Sequence, residues 1–454
     1  MTELSISPAL AKALAAARET RALEIGEHAI ANTARIFREQ FGAKPAVMVT
    51  DENTFRIAGE KVAASFRAAG RTLLEPFIFR SPDLYAENRF VLELENALRK
   101  HEAIRLAVGS GTINDLTKLA AHRTDRPYIA VATAASMDGY TAFGASITFE
   151  GSKQTFLCPA PTAVVADLEI ICGAPAEMNA WGYADLLAKV TAGADWIVAD
   201  ALGPEPIDAG AWEIVQSRLR SMVSDPGGIR TARPQAIAHL TEGLMLGGFA
   251  MQAMKSSRPA SGAEHQFSHL WDMQHHTHNG RAPSHGFKVG IGTLAVTALY
   301  ERLFEQPLEQ LDVDRCCAAW PNREDWLKQA RAQFADAELI AVATKEIAAK
   351  ANGREVIRQQ LTKLRATWPE LKTRLQKQLI PFAKLKSMLQ DAGAPVEPEH
   401  ISITRTRLKE TFRQAFFIRR RFTVLDLAVR AGLLDRCVDE VFSTRGPWPL
   451  EAKR

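Results

Sequence analysis

Cysteine is scarce in this 454-residue chain, and its pattern excludes more than its number does. The five residues (Cys158, Cys172, Cys316, Cys317 and Cys437) are odd in count and contain no Cys-x-x-Cys pair. That argues against a disulfide scaffold or a thiolate zinc site, and suits a reducing cytoplasm. No run of about 18 apolar residues is present, so no membrane span is expected. The opening stretch, MTELSISPALAKALAAARET, lacks the basic-then-apolar order of a signal peptide. There is little net charge: +4 over this length does not argue for nucleic acid, and the basic residues form only short clusters. Internal repeats and low-complexity tracts are also missing. What remains has 46% hydrophobic and 24% charged residues, ordinary for a globular protein and enough for roughly two or three domains.

Up to about residue 42 the pattern is helical. Short apolar runs of strand type then appear at 45–50, 77–79, 103–108 and 128–132, with helical periodicity at 54–69, 87–100 and 113–121 between them. This alternation predicts βαβ units around a mostly parallel sheet. Residues 145–156 alternate around Glu150-Gly151 and read as a hairpin, and 163–166 reads as a last strand. Beyond about 172–176 only helical periodicity remains, in long stretches at 177–201, 208–223, 234–256 and 286–305. The predicted organisation is an α/β domain over 1–174 followed by an all-α domain over 175–454.

Three polar turns stand at the ends of predicted strands. Gly109-Ser110-Gly111-Thr112-Ile113-Asn114-Asp115 leads from a strand into a helix, where glycines and free N–H groups can cradle a pyrophosphate. It is G-x-G-x-x-N rather than the full G-x-G-x-x-G fingerprint, so it reads equally as a tight turn without ligand. Asp51 can bind ribose hydroxyls, or can simply cap a helix. Thr133-Ala134-Ala135-Ser136-Met137-Asp138-Gly139 leaves the next strand. Together they point to one nucleotide site at the C-terminal edge of a parallel sheet.

Histidine is concentrated instead of spread: six of eleven fall within 260–293, at His265, His269, His275, His276, His278 and His285. His265 and His269 are one helical turn apart, so both can hold a metal, or one can hold it while the other serves a substrate. His285 opens a glycine-containing apolar helical stretch. Asp185, alone in the apolar segment 181–189, is the carboxylate candidate, although Lys189 one turn later could pair with it. Two imidazoles and one carboxylate leave an open position, as a catalytic metal needs. His275, His276 and His278 lie in a polar loop and read as solvated.

The ordered segments GSGTINDLTK (109–118), TAASMDGY (133–140), GYADLLAK (182–189), SGAEHQFSH (261–269) and HGFKVGIGT (285–293) resemble the sn-glycerol-1-phosphate dehydrogenases. That family lies within the superfamily of iron-containing alcohol dehydrogenases and dehydroquinate synthases. The tail at 404–434 looks like the bacterial branch. The resemblance implies a dehydroquinate synthase-like fold, with a nucleotide-binding α/β domain and a helical metal-binding domain. It also implies a metal-dependent oxidoreductase of glycerophospholipid metabolism, interconverting dihydroxyacetone phosphate and sn-glycerol 1-phosphate. Carried over residue by residue, Gly111, Thr112, Ile113, Asn114, Asp115, Thr133, Ala134, Ala135 and Ser136 contact NAD or NADP, with Asp51 at the adenosine ribose. Asp185, His265 and His285 hold one divalent metal, zinc or nickel, with iron the alternative. Asp138, Asp185 and His269 contact the substrate and carry catalysis. The chain departs from the family in two places. Ala142 stands where a cofactor-binding serine is usual, and the interval from His265 to His285 is longer, with His278 the substitute ligand. The partners expected are a small phosphorylated substrate and a second copy of the chain in a homodimer, with no nucleic acid. The competing readings are a glycerol-type polyol dehydrogenase, a dehydroquinate synthase-like lyase, and a non-enzymatic nucleotide or metal sensor.

Overall fold

The computed structural model describes residues 7–150 and 152–450. Eight strands follow in chain order: β1 Ala22–Gly26, β2 Ala46–Asp51, β3 Phe77–Phe79, β4 Ile104–Gly109, β5 Tyr128–Ala132, β6 Ala145–Phe149, β7 Ser152–Phe156 and β8 Ala163–Asp167. Six form one parallel sheet in the order β1-β8-β5-β4-β2-β3, while β6 and β7 pair antiparallel as a separate hairpin. Every residue of β4, β5 and β8 is buried, as a sheet covered on both faces requires. That is why these strands read as unbroken apolar runs in the sequence. Alternate residues of one face (Met48, Leu106, Val131, Val165) pack with Ile36, Phe37, Val62 and Phe66 of the covering helices.

The stretch before residue 42 is not wholly helical. Within it lie α1 Pro8–Ala16 and α2 Thr33–Phe41, but also β1, an edge strand that pairs only with β8. An edge strand needs one partner and one buried face, so its half-buried ALEIG carries no strong apolar run. Residues 1–6 of that stretch, and Gly151 of the predicted hairpin turn, lie outside the described residues.

After β8 the described chain is helical apart from one isolated bridge between His278 and Arg281. Further helices used below are α3 Glu60–Ala68, α4 Asn88–Leu98, α5 Gly111–Arg123, α6 Ala176–Leu187, α7 Lys189–Leu202, α8 Pro234–Met254, α9 Ala263–Met273, α10 His285–Phe304, α11 Arg405–Phe417 and α12 Val424–Arg430. The long helical stretch at 177–201 is thus two helices, with Ala188 between them. Grouped by packing, the chain forms two compact units that interleave in sequence. One comprises Met1–Leu187, Gly210–Ala260 and Asp391–Gly393, the other Ala188–Ala209, Ser261–Gln390 and Ala394–Arg454. No helix among the described residues is long and apolar enough to cross a membrane, and all five cysteines are unpaired.

Candidate nucleotide and metal site

The sheet order fixes where the polar turns go. From β2 the chain continues to β3 on one side, and from β4 to β5 on the other, so the crevice between β2 and β4 is a topological switch point. Asp51 ends β2, Gly109 ends β4, and Thr133 follows β5, donating its N–H to the Gly109 carbonyl at 3.2 Å. The three predicted turns therefore gather at one edge. Helix α5 starts at Gly111 with Ser110 as N-cap, and that serine side chain caps nothing. The first-turn N–H groups are therefore not taken up by a side-chain cap from Ser110.

Two cofactor candidates also have structural work. Asp51 Oδ1 accepts from the backbone N–H of Asn53 (2.8 Å) and Thr54 (2.9 Å), as an N-cap. Its Oδ2 takes no part in that cap, so capping and ribose binding are compatible on one carboxylate. Asp115 Oδ2 accepts from the N–H of Ser146 at 3.2 Å, fastening the β6 hairpin to α5. One turn on, the fully buried Lys118 donates to the carbonyls of Gly139 (2.9 Å), Ala142 (2.9 Å) and Gly144 (3.1 Å). This ammonium holds the loop after Asp138, a role with no spacing signature because it is spent on backbone carbonyls. Ala142 is buried.

Asp185 is fully buried on α6. Its Oδ2 accepts the backbone N–H of Asp138 at 3.2 Å, which joins two of the three predicted substrate contacts in one bond. Helix α6 reaches that segment through Gly182, where a Cβ would run into the carbonyl oxygen of Ala135.

In the second unit, α9 carries His265, Ser268 and His269, and α10 begins with His285 behind the cap of Ser284. The two helices approach backbone to backbone: a Cβ on Gly292 would lie 2.5 Å from the Glu264 carbonyl oxygen. The three imidazoles form a triangle, with ring centres 5.2 Å apart for His265–His285, 6.3 Å for His265–His269 and 6.2 Å for His269–His285. Nδ1 of His265 lies 2.8 Å from Oε1 of Glu264, and Nδ1 of His285 lies 3.3 Å from Oγ of Ser268. Both of these contacts fall on Nδ1. Beneath them Asp195 accepts from the N–H of Ala263 (2.7 Å), the N–H of Val424 (2.9 Å) and the hydroxyl of Tyr300 (2.6 Å). Burial, then the neighbouring charge of Glu264, push the Asp195 carboxyl up to about 7 against those three donors. Burial also works against ionised Glu264, but the His265 imidazole and the Gly262 N–H outweigh it. Neither acid was singled out from the sequence. An acid flanked by apolar residues within a helix (Asp195), and an acid adjoining a candidate ligand (Glu264), are the signals that mark them.

The middle histidines are not simply solvated. His275 is exposed, but His276 is buried. Its Nε2 donates to the Ile401 carbonyl at 2.6 Å, and its Nδ1 accepts from Arg407 at 2.8 Å. His278 has Nδ1 at 2.8 Å from Ser402 Oγ and Nε2 at 3.0 Å from Asn279 Nδ2. One ring nitrogen thus faces Ser402 and the other its neighbour Asn279. The loop is pinned to the segment around Ile401–Arg407, because its imidazoles find partners more than a hundred residues away.

That pin has a pH consequence. Burial, with Arg407, Lys288 and His278 facing the ring, lowers the His276 pKa from 6.5, against the pull of the Ile401 carbonyl. A depressed folded pKa means the contribution is complete above about 6.5 and is lost as pH falls through it toward the folded value. The melting temperature should fall between pH 7 and 5, and fall less in His276→Gln. Equal losses in the two proteins would assign the acid sensitivity to other groups.

Residues 24–175 match the family model described as iron-containing alcohol dehydrogenase. The fold is shared with solved dehydrogenase structures. A probable glycerol dehydrogenase from Sinorhizobium meliloti 1021 superposes with a TM-score of 0.59 at 15% identity, over 92% of this chain and 98% of that one. Glycerol dehydrogenase from Schizosaccharomyces pombe gives 0.58 at 17% identity, over 95% and 94%. Residues 24–175 thus resemble the iron-containing alcohol dehydrogenases, and the chain shares with these dehydrogenases a parallel sheet followed by helices. Glycerol-1-phosphate dehydrogenase (NAD(P)+) of Halalkalibacterium halodurans is 36% identical over 290 residues, 63% of this chain and 72% of that protein. The enzyme of that name from Pyrococcus furiosus is 32% identical over 282 residues, 62% and 78%. The chain belongs to the glycerol-1-phosphate dehydrogenase family.

Proposed function

We propose that the protein catalyses the reversible reduction of dihydroxyacetone phosphate to sn-glycerol 1-phosphate, with NADH or NADPH as hydride donor and a divalent metal held by Asp185, His265 and His285. The observation that carries this reading is the state of the two imidazoles. Each has its Nδ1 against a partner on its own unit, Glu264 or Ser268, which would present Nε2 to the ion. Metal-bound histidines are oriented in this way by a second hydrogen bond on the other ring nitrogen. A buried carboxylate completes a donor set of two nitrogens and one oxygen, which accommodates zinc or nickel, with iron the alternative.

A bound ion of this kind supplies Lewis-acid polarisation of the C2 carbonyl oxygen, and the nicotinamide supplies the hydride. The chain's own residues do the positioning. Gly111, Thr112, Ile113, Asn114 and Asp115 offer the helix N-terminus to the pyrophosphate; Thr133, Ala134, Ala135 and Ser136 line its other side; Asp51 Oδ2 faces the ribose and favours NAD through the 2′-hydroxyl. Asp138 and His269 orient the substrate hydroxyls, and His269 passes the proton that the C2 oxygen gains as the ketone becomes an alcohol. The uncombined thiols suit a cytoplasmic setting.

The test is NADH and NADPH absorbance with dihydroxyacetone phosphate, before and after chelation, followed by separation of the two glycerol phosphate enantiomers. Metal-dependent oxidation yielding the sn-1 product is expected. Turnover with unphosphorylated dihydroxyacetone alone would favour a glycerol-type dehydrogenase. Absence of net nicotinamide oxidation would leave the lyase or the sensor.

A further inference from the structure

We propose that Glu264 is a positioning residue for metal binding: by accepting Nδ1–H of His265 it fixes that ring's tautomer and presents Nε2 to the ion. The proposal rests on the reading of His265 as a ligand. Glu264 is fully buried. Its Oε1 lies 2.8 Å from His265 Nδ1 and accepts the Gly262 N–H at 2.5 Å, while Oε2 accepts the Thr191 hydroxyl at 3.0 Å. A carboxylate can only accept, so the nitrogen facing it must carry a hydrogen, and the lone pair is left on the other nitrogen.

The position of Glu264 is set by backbone. The carbonyl of Glu264 is the atom that excludes a Cβ at Gly292, and its Cα lies 3.1 Å from that same point. The residue therefore cannot slide along α10 without moving both helices. Its presence is also electrostatically costly. A Cβ on Gly262 would meet Asp195 Oδ2 at 2.5 Å and Glu264 Oε2 at 2.8 Å, so two buried acids crowd one glycine. Asp195 already holds the first turn of α9 by accepting the Ala263 N–H. Glu264 adds the N–H of the N-cap, Gly262, to that hold, and among its partners the imidazole is the one on a candidate ligand.

The experiment is Zn2+ affinity of the apo full-length protein by competition with a chromophoric chelator, for wild type, Glu264→Leu and His265→Ala, beside apo melting curves. Glu264→Leu, which cannot accept a hydrogen bond, should bind Zn2+ about 10- to 100-fold more weakly. Affinity within twofold of wild type in Glu264→Leu, with His265→Ala strongly weakened, overturns the proposal. Unchanged affinity in His265→Ala overturns the ligand reading beneath it instead. If Glu264→Leu does not fold, nitrogen-15 histidine spectra of wild-type apo protein decide. A His265 signal of the Nδ1–H tautomer supports the role, and the Nε2–H tautomer overturns it.

Discussion

Asp185→Asn should reduce kcat/KM by about a thousandfold or more and leave the apo melting temperature within a few degrees of wild type. The two halves of this expectation have separate causes. An amide oxygen is a poor ligand beside two imidazoles, and losing about 4 kcal/mol of Lewis-acid stabilisation at the carbonyl corresponds to about three orders of magnitude. The fold is spared because the structural duty of Asp185 is to accept the Asp138 N–H, which an asparagine oxygen also does. Removing a fully buried charge offsets what the weaker acceptor loses. Steady-state kinetics with added zinc or nickel, alongside apo melting curves, make the check. Full activity in the variant would remove Asp185 from the ligand set and the metal reading with it.

Gly182→Ala should be the most damaging small change in the first unit. An exposed helical glycine replaced by alanine gains about 1 kcal/mol from helix propensity. Here the new methyl meets the carbonyl oxygen of Ala135, with Leu244 Cδ1 at 3.1 Å behind it. A backbone carbonyl has no rotamer to escape into, so overpacking of about 1–3 kcal/mol or more outweighs the gain. The displaced atoms belong to the 133–136 segment, so NADH binding should weaken at least about tenfold along with the melting temperature. Gly227→Ala is the control, since nothing lies within 4 Å of a Cβ there; it should be neutral or slightly stabilising. A Gly182→Ala protein that melts and binds NADH like wild type would show that α6 moves aside freely, and the close approach would carry no consequence.

The sheet was largely legible in the sequence because its strands are buried on both faces and read as apolar runs ending in polar turns. β1 was not, since an edge strand with Glu24 in its centre lacks that signal and sits among Ala- and Leu-rich helical sequence. The break at Ala188 has no proline or glycine to announce it; a helix interrupted by packing alone looks continuous in periodicity. Among the histidines, spacing set His265 and His269 on one face, and the structure groups them with His285. His276 was misread as solvated because its partners, Ile401 and Arg407, are brought by tertiary structure. Glu264 and Lys118 escaped for the same reason: their work is done on a neighbouring ring or on backbone carbonyls, and no spacing rule encodes either.

The strap between α9 and α10 has a use of its own. Its pins at His276 and His278 lie before a tip, Asn279-Gly280, that is exposed and turns through positive φ at both residues. The spacing of His265 and His285 is set elsewhere, by the contact of Glu264 with Gly292. Strap length and ligand spacing are therefore decoupled, which makes the tip a natural attachment point: a fluorophore or short peptide tag inserted there reports on the neighbouring helices without altering the histidines they carry.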